Sequence, residues 1–241
     1  MYRLISFSMT DGPGMAAVLF CKGCQFNCKY CYNTELRSFT KAEDDLLLED
    51  SLDQISKLRI RDFNTVDWLI LSGGEPLNKP LSELEIILNH ARDMKLKTGM
   101  YTTGCFPDKI EALINKKLID YFHIDYKHVE VMMSTGHSQL DENTLKSIKL
   151  IVDAKIQCHV NTTLMKSVHT LDVLQNMKKN LEQITGAPLK IFIDKVTSFK
   201  DDVFWSLTPI SQNFTDTLAP IDYSIDGWTP EDLEGLQSLL D

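Results

Sequence analysis

The sequence predicts an α/β protein built from parallel strand–helix units, and three observations predict it. Short apolar runs of strand length recur six times, stretches of helical period separate them, and the chemically unusual residues gather where the runs end. Strands alternating with helices pair in parallel through right-handed crossovers. Sheets of that kind place ligands at the carboxyl ends of their strands.

The first run is Ala16–Phe20 and the second Val66–Leu71, followed at once by Ser72-Gly73-Gly74. Shorter runs occupy Lys97–Tyr101, Tyr121–Asp125, Gln157–Thr162 and Lys190–Ile193. Between them, Leu84, Ile87, Leu88 and Ala91 fall on one face of a helix. Ile110, Leu113 and Ile114 repeat the spacing, as do Leu145, Ile148 and Val152, and Leu171, Leu174 and Leu181 mark a further helix. Thr229, Pro230 and Asp232 read as an N-cap, a first-turn proline and a favourable acid, predicting a terminal helix over about 230–240. Trp205 and Trp228 are expected to pack the C-terminal segment onto the sheet.

The chain has 241 residues, within the range of one domain, and its 43% hydrophobic content supplies a core. A net charge of −9 argues against a nucleic-acid surface, which needs clustered Lys and Arg. No apolar stretch is long enough to span a membrane, and the N-terminus has no export-signal pattern, so a reducing cytoplasmic setting is expected. The acidic residues Glu43, Asp44, Asp45, Glu49 and Asp50 read as a solvated helix face.

Cys24, Cys28 and Cys31 place three thiols within eight residues. A rigid strand or helix cannot aim all three at one centre, whereas a loop wrapped around an inorganic cluster can. Thiolates ligate iron–sulfur clusters, and a 4Fe-4S cluster takes four ligands, so three leave one iron open. An open position marks a catalytic metal site. The rival reading is structural zinc with Cys21 as the fourth ligand, but its spacing is cramped compared with the widely separated pairs of zinc ribbons. Cys21 ends an apolar run, where a buried thiol is commonplace. Cys105 and Cys158 read as core or strand-end thiols.

Gly23-Cys24-Gln25-Phe26-Asn27-Cys28-Lys29-Tyr30-Cys31-Tyr32-Asn33 resembles the cluster loop of the radical S-adenosylmethionine (SAM) superfamily. The resemblance implies a partial (β/α)6 barrel with a C-terminal extension, a single domain over 1–241 whose core runs from about 14 to 195. It also implies that Cys24, Cys28 and Cys31 are the cluster ligands and that Tyr30 packs near the adenine of SAM. In that superfamily a reduced cluster passes an electron to SAM, giving methionine and a 5′-deoxyadenosyl radical that takes a hydrogen atom from substrate.

Further motifs agree. Ser72-Gly73-Gly74-Glu75-Pro76 resembles the superfamily's glycine-rich SAM turn, with Gly73 and Gly74 against the ammonium group and Glu75 in support. Asp125-Tyr126-Lys127 resembles a motif of the glycyl-radical activating enzymes in which Asp125 and Lys127 both contact SAM. Asp11-Gly12-Pro13-Gly14 matches the same group, and Cys31-Tyr32-Asn33 is closer to the activases of anaerobic ribonucleotide reductase. The likeness is best over residues 8–130. Many activases carry Asp-Thr-Asn-Gly after the third strand; here Tyr101-Thr102-Thr103-Gly104 stands instead, leaving Thr103 at that SAM-facing position. No histidine motif follows the sixth strand, where Ile193-Asp194-Lys195 stands, and there is no second cysteine cluster.

The histidines show no ligand spacing; His159, Asn161 and Thr163 lie on the fifth run, within reach of SAM, substrate or the core. The function expected from the resemblance is generation of a glycyl radical on a partner, anaerobic ribonucleotide reductase first and a pyruvate formate-lyase-like enzyme second. A flavodoxin- or ferredoxin-type donor would supply the electron. The rival within the superfamily is action on a small molecule or peptide, as in the 7-carboxy-7-deazaguanine synthases. The remote alternative is a non-enzymatic zinc protein.

Overall fold

All six expected strands are present in the computed structural model, which describes residues 1–28, 31, 33–60, 63–127, 140–164, 169–186 and 191–195, with Gly235 and Ser238. They are β2 (Ala16–Cys21), β5 (Trp68–Gly73), β6 (Lys97–Thr102), β7 (Tyr121–Asp125), β8 (Gln157–Leu164) and β9 (Ile191–Lys195). Each pairs in parallel with the next. A seventh strand, β1 (Tyr2–Ser8), adds antiparallel to β2 at the edge. Its order is β1-β2-β5-β6-β7-β8-β9, an open sheet in which β1 and β9 are not paired.

The helices are α1 (Leu48–Ser56), α2 (Leu81–Asp93), α3 (Pro107–Asn115), α4 (Leu140–Asp153) and α5 (Leu171–Thr185). The predicted stripes are their buried faces: Leu84, Ile87, Leu88, Ala91, Ile110, Leu113, Ile148, Leu174 and Leu181 all lie in one core. Leu171 is the exception. It opens the first turn of α5, off the stripe formed by Leu174, Met177 and Leu181, and is 48% exposed. The turns after α2, α3 and α4 place Lys95, Lys117 and Lys155 in left-handed backbone, reversing the chain directly into the next strand.

Strand parity separates two interiors. Ala17, Leu19, Leu69, Leu71, Met100, Phe122, Ile124 and Val160 face the helices. Ala16, Val18, Trp68, Ile70 and Tyr121 face the concave side and fill its lower half, with Ile5, Phe20 and Tyr101 packed against them. The sheet therefore curves as a partial barrel plugged at its amino-terminal end. Its carboxyl rim lies one level above that plug.

Two expectations need correcting. Asp45 is not solvated: it is buried, accepting from Arg3 Nε at 3.0 Å and Lys22 Nζ at 2.6 Å, so it ties the segment before α1 to β1 and the end of β2. Glu43, Asp44, Glu49 and Asp50 are exposed as expected, but Glu43 and Asp44 precede α1. Edge strand β1 and the small ribbon β3 (Arg59–Ile60) with β4 (Phe63–Asn64) had no recognised signal. Of the expected terminal helix only Gly235 and Ser238 are described, both helical; Trp205 and Trp228 lie outside the described residues. Among the described residues, no helix is long and apolar enough to cross a membrane.

Candidate active site

The cysteine loop leaves β2 at Cys21 and is fastened to its surroundings by backbone hydrogen bonds. Gly23 N donates to Leu36 O at 2.7 Å and Cys24 N to Arg37 O at 3.1 Å, so the 3-10 turn Thr34–Arg37 closes the loop on itself. Cys31 N donates to Cys28 O at 3.1 Å. On the other side, Gly74 N donates to Cys21 O at 2.9 Å and Glu75 N to Gly23 O at 3.0 Å. Asn78 Nδ2 reaches Gly23 O and Gln25 Oε1, and Gln25 Nε2 in turn donates to Cys105 Sγ at 3.4 Å.

The cysteine loop and the glycine turn are thus one unit, and this gives the two glycines a reason that their expected contact with a ligand does not. A Cβ on Gly74 would stand 2.6 Å from Gly23 O and 2.7 Å from Leu36 O. Gly73 has φ +113°, and a Cβ there would meet Cys21 N and O at 2.8 Å. Both glycines let the turn lie backbone-to-backbone against the cysteine loop.

Glu75 locks the turn to the next strand. Its Oε1 accepts from Thr102 Oγ1 at 2.5 Å and Leu77 N at 3.1 Å; Oε2 accepts from Thr103 N at 2.9 Å and Thr103 Oγ1 at 2.7 Å. Complete burial pushes the Glu75 carboxyl up, against four hydrogen bonds that favour its charged form. Its side chain caps the short turn Pro76–Asn78, and the carbonyls of Leu77 within the turn and Lys79 just after it accept from Lys109 Nζ. Thr103 therefore spends its hydroxyl on Glu75, and its own carbonyl accepts from Thr144 Oγ1 of α4.

At the end of β7, Lys127 Nζ lies 2.5 Å from Asp125 Oδ2. Burial would raise the Asp125 carboxyl, but Lys127, then His123 and Asn161, outweigh it and hold it below the usual carboxylate range. Lys127 is 8% exposed and its charge is felt at Cys28. The site thus joins the ends of β2, β5, β6 and β7 on one rim. Tyr30 lies outside the described residues.

The thiols fit a cluster. Cys24 and Cys28 pack with Phe26, Cys105 and Phe106 in a small apolar pocket beside the rim. Burial pushes the Cys24 thiol up to about 12 and also raises Cys28, and neighbouring thiols add to both rises. Thiols so raised stay protonated at neutral pH unless iron takes the proton's place. Among the described residues no three His, Cys, Asp or Glu side chains converge as ligands of a single ion do. Thiolates binding three different irons of one cluster stand further apart than that. Cys21, the fourth thiol of the zinc alternative, points instead into the helix-side core, fully buried and pushed up to about 12. Cys105 is the residue that motif reading left aside as a core thiol: it lies in the same pocket as Cys24 and Cys28.

A partial parallel barrel carrying a three-cysteine loop and a glycine turn on its carboxyl rim defines the radical SAM class of enzyme. Comparison with known proteins agrees. The profile described as "4Fe-4S single cluster domain" matches residues 10–135, and the chain belongs to that family. A Methanocaldococcus jannaschii protein assigned as a glycyl-radical enzyme activating enzyme is 28% identical over 187 residues, 74% of each chain. The pyruvate formate-lyase-activating enzyme of Clostridium pasteurianum is 24% identical over 78% of this chain and 80% of its own. The 7-carboxy-7-deazaguanine synthase of Methanocaldococcus jannaschii is 27% identical over 70% and 71%. Two solved structures share the fold. The enzyme anSMEcpe with bound SAM superimposes with TM-score 0.55 at 14% identity, covering 73% of this chain and 50% of its own. The radical SAM methyltransferase TsrM of Kitasatospora setae gives 0.53 at 12% identity, covering 75% and 36%. The chain thus spans half or less of those two structures.

Proposed function

We propose that the protein is a glycyl-radical enzyme activase. Cys24, Cys28 and Cys31 hold the 4Fe-4S cluster, and Gly73, Gly74, Glu75, Thr103, Asp125 and Lys127, with Tyr30, form or support the SAM site. The observation that carries this reading is the fastening of the cysteine loop to the Gly73–Glu75 turn on the carboxyl rim. When bound, the cluster and SAM supply a one-electron cleavage of a carbon–sulfur bond and hence hydrogen-atom abstraction. The protein's own residues do the rest. Lys127 presents a cation for the carboxylate of SAM, and Asp125 holds that cation in place. Glu75 and Thr103 keep the turn's backbone rigid, so the groups facing the ligand are set before it arrives. The apolar pocket of Phe26 and Phe106 shields the thiols from water.

Anaerobic ribonucleotide reductase is the partner the Cys31-Tyr32-Asn33 segment favours, with a pyruvate formate-lyase-like enzyme next. The relatives assigned as activating enzymes support the partner class. A flavodoxin- or ferredoxin-type protein is the proposed electron donor, and one domain with a core over about 14–195 and an extension over 196–241 the proposed organisation. The similarity to a 7-carboxy-7-deazaguanine synthase favours a second reading, in which a small molecule occupies the barrel.

The test is anaerobic purification, reconstitution with iron and sulfide, reduction with dithionite, and incubation with SAM. Formation of 5′-deoxyadenosine, lost in Cys28→Ala, is expected. A persistent glycyl-radical signal in electron paramagnetic resonance on adding a purified partner completes it. Zinc without sulfide in the purified protein would overturn the proposal.

A further inference from the structure

Arg37 ends the 3-10 turn that closes the cysteine loop, and the fold supplies its side chain with no partner. Its backbone is committed: Arg37 O accepts from Cys24 N at 3.1 Å, and Leu36, buried beside it, accepts from Gly23 N at 2.7 Å. The side chain is half-buried, yet its Nε is shut away from water and meets no acceptor among the described residues. Other arginines differ. Arg3 Nε donates to Asp45 at 3.0 Å, and Arg92, whose Nε is also unmet, places Nη2 2.9 Å from Asp120. Arg37 forms no such ion pair among the described residues.

A buried N–H without an acceptor is costly, more so on a charged group, and marks a place where something outside the polypeptide completes the contact. The surroundings indicate what that is. Burial raises the Cys28 thiol; the charges of Lys127 and then Arg37 oppose the rise, while Cys31 and Asp125 add to it. Two cations therefore act at Cys28, one from the cysteine loop and one from the end of β7. Lys127 is held by Asp125 at 2.5 Å and faces the SAM carboxylate in the proposed site, whereas Arg37 has no carboxylate beside it.

A cluster held by thiolates carries negative charge, and reduction adds to it, so its potential depends on nearby charge and on hydrogen bonds to its sulfurs. An arginine meant for an incoming acidic protein would keep its donors in water, and Arg37 Nε is closed off from it. We propose that Arg37 serves the cluster itself: its Nε–H donates to a sulfur of the bound 4Fe-4S cluster, and its charge favours the reduced state. The electron comes from the reductant, and the guanidinium keeps its proton throughout. This rests on the reading of Cys24, Cys28 and Cys31 as cluster ligands and deepens it, whichever partner receives the radical.

The experiment compares wild type, Arg37→Met and Arg37→Lys, each as apoprotein and reconstituted with iron and sulfide. Midpoint potentials are read by electron paramagnetic resonance in a mediated dithionite titration without SAM. Arg37→Met should lower the equilibrium constant for one-electron reduction about tenfold, which is about 59 mV. Arg37→Lys, which keeps the charge and loses the Nε donor, should fall between. In the apoprotein the expectation reverses: methionine keeps an apolar stem and removes an unmet donor, so Arg37→Met should resist urea at least as well as wild type. An unchanged potential overturns the inference. So does an apoprotein weakened by Arg37→Met, which marks a structural role; poor cluster loading with apoprotein stability intact supports the inference. A potential shift seen only with SAM bound assigns the guanidinium to the SAM carboxylate and also overturns it. Wild-type protein that takes up no iron and sulfide would overturn the cluster reading and this inference with it.

Discussion

Substituting Gly74 with alanine tests the claim that the cysteine loop and the glycine turn are one unit. The added Cβ would stand 2.6 Å from Gly23 O, 2.7 Å from Leu36 O and 2.9 Å from Gly23 C, all backbone atoms that cannot rotate aside. Relief requires about half an ångström or more of separation between turn and loop, because a relaxed carbon–oxygen contact needs more than 3 Å. Across that seam Gly23 O accepts from Glu75 N at 3.0 Å and Cys21 O from Gly74 N at 2.9 Å, so the same movement strains two hydrogen bonds. Overpacking of this kind costs about 1–3 kcal/mol, and weakening two hydrogen bonds adds about 1–2. A loss of about 3 kcal/mol lowers Tm by roughly 6–12 °C in a chain of this size. The larger consequence is displacement of Cys24 relative to the turn. Iron and acid-labile sulfide per chain after reconstitution should drop severalfold, and 5′-deoxyadenosine formation with them. Gly186→Ala is the control: its φ is +70°, yet nothing lies within 4 Å of the new Cβ, so it should cost about 1 kcal/mol and leave iron content unchanged. A Gly74→Ala protein that loads a full cluster and melts with the wild type would refute the reasoning.

Other outcomes follow from the same geometry. Glu75→Gln keeps the shape but sets an amide donor against Thr103 N–H; a loss of about 2 kcal/mol is expected in denaturant unfolding, with SAM cleavage slowed. Burial alone would raise the Asp45 carboxyl, but Lys22, the Ala42 amide and Arg3 hold it below its usual range. A carboxyl depressed by folding stabilises the protein above its unfolded pKa and loses that contribution as pH falls through its folded value. Asp45→Asn should therefore cost about 3 kcal/mol near neutral pH, and the gap from wild type should close in strongly acidic solution, as read by urea titration across pH. Lys127→Met should raise the KM for SAM at least about tenfold while iron and sulfide content stay at the wild-type level; cluster loss in this variant would contradict the assigned role.

The legible part of the molecule was whatever depends on neighbours along the chain. Six strand runs announced themselves because parallel strands are buried on both faces and read as apolar blocks. Leu84, Ile87, Leu88 and Ala91 declared a helix because one face of it is apolar. The spacing of Cys24, Cys28 and Cys31 pointed to a cluster loop because the ligands of one cluster come from one short segment. Strand β1 escaped notice because an edge strand half exposed to water carries a mixed pattern, Tyr2-Arg3-Leu4-Ile5-Ser6, that composition does not distinguish from a loop.

What the sequence determined alone was therefore the kind of fold and the class of chemistry, with the cysteine loop as the proposed cluster site, all read from local patterns and ligand spacing. Tertiary structure decided the rest. Asp45 looks like any member of an acidic run until folding brings Arg3 and Lys22 to it from distant parts of the chain. Gly74 reads in sequence only as a ligand-facing residue, and folding gives it a second task, letting the turn lie against the cysteine loop. Tyr101, His123 and His159 are separated by more than twenty residues at each step and share no motif, yet parallel pairing puts them in one row. Register and burial arise from contacts between segments far apart in sequence, and no local window contains them.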